Sequence, residues 1–71
     1  MKLHYYPETD SLYIELKDGP GVEAREVVAG VNADLAEDGS LVGLDIDRAS
    51  QCADLATLET AALPLRTLRA G

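Results

Sequence analysis

The segment from Val31 to Asp47, Val-Asn-Ala-Asp-Leu-Ala-Glu-Asp-Gly-Ser-Leu-Val-Gly-Leu-Asp-Ile-Asp, alternates apolar and polar residues on both sides of an Asp38-Gly39 pair. That arrangement is the strongest short-range signature of a β-hairpin. With Asp38 and Gly39 as a two-residue type I′ turn, Glu37 faces Ser40. Leu35, Ala33 and Val31 then face Val42, Leu44 and Ile46, all apolar. The other face pairs Ala36 with Leu41, Asp34 with Gly43 and Asn32 with Asp45. A slip by one residue would set apolar against polar at nearly every rung, so turn chemistry and pattern specify the same register.

A second hairpin is legible at the N-terminus. Leu3 and Tyr5 alternate with Lys2, His4 and Tyr6, and Leu12, Ile14 and Leu16 alternate with Tyr13, Glu15 and Lys17. Pro7-Glu8-Thr9-Asp10 lies between them, and Pro7 suits the first central position of a type I turn because its ring fixes φ near −65°. A four-residue loop sets Tyr5 opposite Leu12, Leu3 opposite Ile14, His4 opposite Tyr13 and Lys2 opposite Glu15, the last as an ion pair.

Asp18-Gly19-Pro20-Gly21 breaks the chain and returns it as a third strand, Val22 to Val28. Val22 and Ala24 point the even positions inward, whereas Val27, Ala29 and Val31 favour the odd ones; a β-bulge near Arg25-Glu26 would switch the face. Ala29-Gly30 fits neither primed turn type, so it reads as a bend in a continuous strand. The expected product is an antiparallel meander of four to five strands over residues 2–47.

After Asp47 the period changes. Asp47 reads as an N-cap for a short helix over about 48–53, with continuation to 62 as the alternative. In the long version Cys52, Leu55, Ala56, Leu58, Glu59, Ala62 and Leu63 form a stripe; Pro64 ends either version. A tail, 64–71, is too apolar for plain linker. The expectation is one α+β domain over 1–71, with Leu63, Leu65, Leu68, Arg66 and Arg69 as candidate partner-binding residues.

Composition narrows the function classes. The chain has no Trp, no Phe and one cysteine, Cys52, which excludes an internal disulfide and any multi-thiolate metal site. A chain of 71 residues is near the lower limit for one self-sufficient core, so a homodimer is expected. The net charge is −7. Residues 1–47 carry eleven acids against Lys2, Lys17 and Arg25, a balance of −8; residues 48–71 carry Asp54 and Glu59 against three arginines, a balance of +1. Phosphate binding relies on neutralising cations, so an acidic body argues against nucleic acid and suits a basic protein surface. No apolar run approaches the roughly 20 residues of a membrane span, and no signal-peptide core precedes the first strand. A cytoplasmic location, without membrane association, is the expectation.

Asp34, Asp38, Gly39 and Asp45 approach an EF-hand loop. Position three, however, is Ala36, position twelve is a short Asp, and the flanks read as strands. Asn32, Asp34, Asp45 and Asp47 still share one face of the hairpin, with Gly43 leaving space opposite Asp34. Asp34 and Asp45 are the weak candidates for a divalent cation, and a solvated polar face is the leading reading of them. His4 reads as an exterior residue beside Tyr6 and Tyr13, and Cys52 as a core thiol. No catalytic pair, phosphate loop or cofactor motif occurs.

The residues Tyr6-Pro7-Glu8-Thr9-Asp10-Ser11-Leu12-Tyr13-Ile14 and Glu37-Asp38-Gly39-Ser40-Leu41-Val42-Gly43-Leu44-Asp45-Ile46 resemble a small bacterial family, domain of unknown function 2283. Its pattern joins a Pro-Glu-x-Asp turn, a Leu-Tyr-Ile strand, a Gly-containing bend, Asp-Gly, Val-Gly and an Asp-Ala-Ser helix start. This chain has Asp47-Arg48-Ala49-Ser50, one residue longer, and Ala29-Gly30 where Pro-Gly is common. The resemblance spans 3–52 and implies a compact β-rich fold with no established activity; some relatives resemble antitoxin-like partners of small ribonuclease-type toxins. The leading reading is a non-enzymatic interaction module, antitoxin-like in its specific form. The alternatives are a self-associating homodimeric domain and a divalent-metal binder.

Overall fold

The computed structural model describes residues 1–64. Five strands, β1 (Lys2–Tyr6), β2 (Ser11–Glu15), β3 (Glu23–Val28), β4 (Val31–Leu35) and β5 (Leu41–Ile46), precede a single helical turn, α1 (Ala49–Cys52). All pairings are antiparallel, and the strands lie in the order β1-β2-β5-β4-β3.

The order corrects the meander. A third strand paired with β2 was expected; instead β5 sits beside β2, and residues 16–22 carry the chain to the far edge. Composition explains the exchange. β5, with Val42, Leu44 and Ile46, has the apolar content a central strand needs. β3, with Glu23, Arg25 and Glu26, has the charges that blunt an exposed edge. The crossing segment is tied at both ends: Leu16 N–H donates to the Val42 carbonyl (2.8 Å) and Val22 N–H to the Leu35 carbonyl (2.8 Å).

Turn chemistry accounts for the remaining departures. The N-terminal hairpin pairs Lys2, Leu3, His4 and Tyr5 with Glu15, Ile14, Tyr13 and Leu12, as expected, although the Lys2–Glu15 pair does not close as an ion pair. In the β4–β5 hairpin the rungs Val31–Ile46, Asn32–Asp45, Ala33–Leu44 and Asp34–Gly43 hold, but Leu35 pairs with Leu41, not Val42. Gly39 N–H donates to the Ala36 carbonyl (2.9 Å), Ala36 N–H donates to the Ser40 carbonyl (2.8 Å), and Gly39 has φ +86°. This is a three-residue loop, a type I turn closed by a left-handed glycine bulge, where a two-residue type I′ turn was expected. Asp38 accepts from Ser40 N–H and Oγ–H, which holds its carboxyl below the ordinary range.

Ala29-Gly30 is a turn and not a bend, because Val28 pairs with Val31. Only Gly30 has positive φ, +85°, which matches type II, a turn the primed types alone would miss. The bulge falls between Glu26 and Val28, one step beyond the expected place. Upstream of it Ala24 pairs with Asp34 and Arg25 with Ala33, so the expected inward direction of Val22 and Ala24 is reversed.

The resulting faces are cleanly divided. One carries the cross-strand rows Leu3–Ile14–Leu44–Ala33–Arg25 and Tyr5–Leu12–Ile46–Val31–Val28; the other carries Lys2–Glu15–Gly43–Asp34–Ala24 and His4–Tyr13–Asp45–Asn32–Glu26. Among the described residues only Ala33, Val42 and Ala49 are buried hydrophobics, and no large side chain is fully buried.

Helix α1 stops at Ala53, which is extended, so the continuation to 62 does not form. Nor is Asp47 the cap. Arg48 takes the flanking position in a left-handed conformation without a side-chain cap. The acceptors come from the opposite end of the chain. The Asp10 carbonyl accepts from Ala49 N–H (2.8 Å), and its carboxylate accepts from Ser50 N–H (3.1 Å), Ser50 Oγ–H (2.7 Å) and Tyr5 Oη–H (2.7 Å). Cys52 is exposed and not in a core, because a four-residue helix has only one buried residue, Ala49.

The Ser50 and Tyr5 hydroxyls hold the Asp10 carboxyl below its ordinary value of 3.8. A carboxylate with a depressed folded pKa stabilises the fold above its unfolded value, and that stability is lost as pH falls through the folded one. Asp10→Asn is therefore expected to lower the melting temperature at neutral pH and to shrink the loss of stability on acidification below 3.8, as followed by circular dichroism across a pH series.

Candidate functional site

The outward face is the place to look for chemistry, because the acidic candidates project there. Gly43 sits at its centre. A Cβ at that position would collide with the Tyr13 hydroxyl oxygen and lie 2.6 Å from Cζ. The phenol of β2 thus passes directly over the glycine of β5 and donates to Asp34 Oδ2 on β4 at 2.8 Å. One side chain spans three strands, and only glycine at residue 43 leaves the path open. On the far side the crossing loop comes close, with Gly21 packed near the Asp34 side chain.

Donation to the Asp34 carboxylate, with desolvation adding to it, pushes the Tyr13 phenol up to about 12. A phenol held that high stays protonated at neutral pH and acts as a hydrogen-bond donor. Asp45, one rung along and paired with both Tyr13 and Asn32, has its carboxyl raised by desolvation and then by the neighbouring charges of Asp47 and Asp34. His4 is exposed and stacks on Tyr6, with ring centroids 6.5 Å apart and planes at 19°.

The two sequence candidates for a cation therefore lie on one face but in different environments. Asp34 is engaged by a phenol, and Asp45 is pushed toward its neutral form. Among the described residues no group of three His, Cys, Asp or Glu side chains converges on a common point. Of the partner-binding candidates, Leu63 is exposed; Leu65, Arg66, Leu68 and Arg69 lie outside the described residues.

The space opposite Asp34 was visible in the sequence; its filler was not, since Tyr13 reaches it only because β2 pairs with β5. The Asp10 clamp on Ser50 spans forty residues and left no local signal.

On the inner face a depression of about 470 Å³ runs between Leu3, Tyr5, Leu12 and Ile14 of the sheet and the segment carrying Leu55 and Leu58. Leu3, Tyr5, Leu55 and Leu58 all remain substantially exposed. No helix among the described residues is long and apolar enough to cross a membrane.

A five-stranded antiparallel sheet with one short helix makes this a small α+β fold. The chain belongs to the family described as Protein of unknown function (DUF2283), whose model matches residues 2–50. That span takes in every strand and both ends of the Asp10–Ser50 clamp. No curated protein and no solved structure matches the chain.

Gly43→Ala tests the face directly. Overpacking of this kind costs about 1–3 kcal/mol, read as a lowered denaturation midpoint. Displacement of the phenol from Asp34 should also bring the tyrosine titration down from about 12. An unshifted titration with unchanged stability would contradict the packing described.

Proposed function

We propose that the chain is a non-enzymatic protein-interaction module whose inner sheet face is covered by another polypeptide. One observation carries this reading. The row Tyr5–Leu12–Ile46–Val31–Val28 is apolar across all five strands, yet Tyr5 and Val28 remain 45% and 59% exposed. Domains bury such a face between two packed layers, and a large exposed apolar patch on a small protein marks a contact surface.

The outward face supports a second feature of the reading. Its acids, Glu15, Asp34, Asp45 and Glu26, give it a surface that a basic protein would meet and that phosphate backbones would avoid. An antitoxin-like role is the specific form of this reading, in which a small basic toxin is the partner. The tying of Asp34 to Tyr13 and the high pKa of that phenol favour a structural over a catalytic use of the face, and they favour it over a divalent-cation site.

Tyr5 and Tyr6 provide an internal control, since their exposures are nearly equal, 45% and 48%, and they lie on opposite faces. Hydroxyl-radical footprinting of the full chain inside cells is expected to oxidise Tyr5 severalfold less than Tyr6. Equal oxidation would mean that nothing covers the inner face, and the module reading would fail.

A further inference from the structure

We infer that the polypeptide covering the inner face is a second copy of this chain, packed sheet against sheet. The inference rests on the interaction reading above and names its partner. Exposure is the first support. Leu3, Tyr5, Val28, Leu55 and Leu58, which lie on or over the inner face, are 47%, 45%, 59%, 40% and 63% exposed, an apolar patch of the kind that marks a contact surface.

Charge selects the face and the partner. The chain carries −7, so two copies repel wherever their acids meet. The outward rows place Glu15, Asp34, Asp45 and Glu26 against only Lys2 as a counter-charge. The inner rows hold one cation, Arg25 at the edge, paired with Glu23 at 2.7 Å, and the depression adds one acid, Asp54, which accepts from Ala56 N–H and Thr57 Oγ–H. A face this apolar and this sparsely charged can meet its own copy, as a two-fold interface requires. A basic partner would instead be drawn to the outward face.

Shape sets the arrangement. Leu55 and Leu58 stand over the β1–β2 half of the inner face and line its depression with Leu3 and Ile14. Val28 and Val31 mark the opposite half. A two-fold axis along the central strand β5 brings the ridge of one copy over the Val28–Val31 side of the other. Leu58 and Val28, 63% and 59% exposed in the single chain, then cover one another.

Sedimentation equilibrium of the full chain at micromolar concentration is expected to give twice the 7.6 kDa chain mass. Val28→Glu and Leu58→Glu should each halve that mass with the circular dichroism spectrum retained, while Glu26→Gln on the outward face should leave it unchanged. Isotope-filtered NMR on mixed labelled and unlabelled wild-type chains needs no variant, and is expected to give intermolecular contacts from Leu12, Ile46, Leu58 and Val28. A one-chain mass, or intermolecular contacts confined to the outward face, overturns the inference. In that event protection of Tyr5 in the in-cell footprint would keep the module reading with a different partner, and its absence would end both.

Discussion

The position of β5 between β2 and β4 is the constraint on which the rest of the molecule depends. Its register against β4 places Leu44 and Ile46 on the inner face and Gly43 and Asp45 on the outer one. Its register against β2 then puts Tyr13 above Gly43 and within reach of Asp34. Because side chains alternate with a period of two, one residue of slip would carry every apolar residue of the strand to the acidic side. The Tyr13–Asp34 bond and the missing Cβ of Gly43 act as a lock on this register. The phenol fits only where the glycine is, and Gly43 is itself buried.

A second tie joins the two ends of the sequence. Asp10, in a left-handed conformation at the close of the first loop, accepts the first N–H groups of α1 through its carbonyl and its carboxylate. A one-turn helix has too few internal bonds to persist alone, so α1 exists because Asp10 supplies the acceptors. The consequence reaches the inner face. With α1 anchored beside the first loop, the following segment is delivered over β1 and β2, where Leu55 and Leu58 stand against Leu3 and Ile14.

Much of this was legible in the residues, and the failures have physical causes. Local pairings read correctly across the four-residue turn at Pro7 and over the rungs Val31–Ile46 to Asp34–Gly43, but not across the two-residue turn at Ala29-Gly30, which looked like a bend. The alternation of Glu23 to Val28 revealed a bulge but not its place, because Val27 could sit on either side of it. Strand order was not legible. A chain break at Asp18-Gly19-Pro20-Gly21 looks the same whether the next strand turns back beside β2 or crosses to the far edge. That one ambiguity hid the Tyr13–Asp34 bridge. The capping of α1 was missed for a related reason, since Asp47 is the local candidate and Asp10 is remote.

Among the described residues, a sheet with an apolar row across five strands and no fully buried large side chain lacks a complete second layer. If a second copy supplies that layer, folding and association are one equilibrium and apparent stability depends on concentration. Thermal unfolding of the wild-type chain over a hundredfold dilution range tests this most directly. The account predicts a midpoint that falls steadily with dilution. A cooperative transition at one temperature, whatever the concentration, would contradict it.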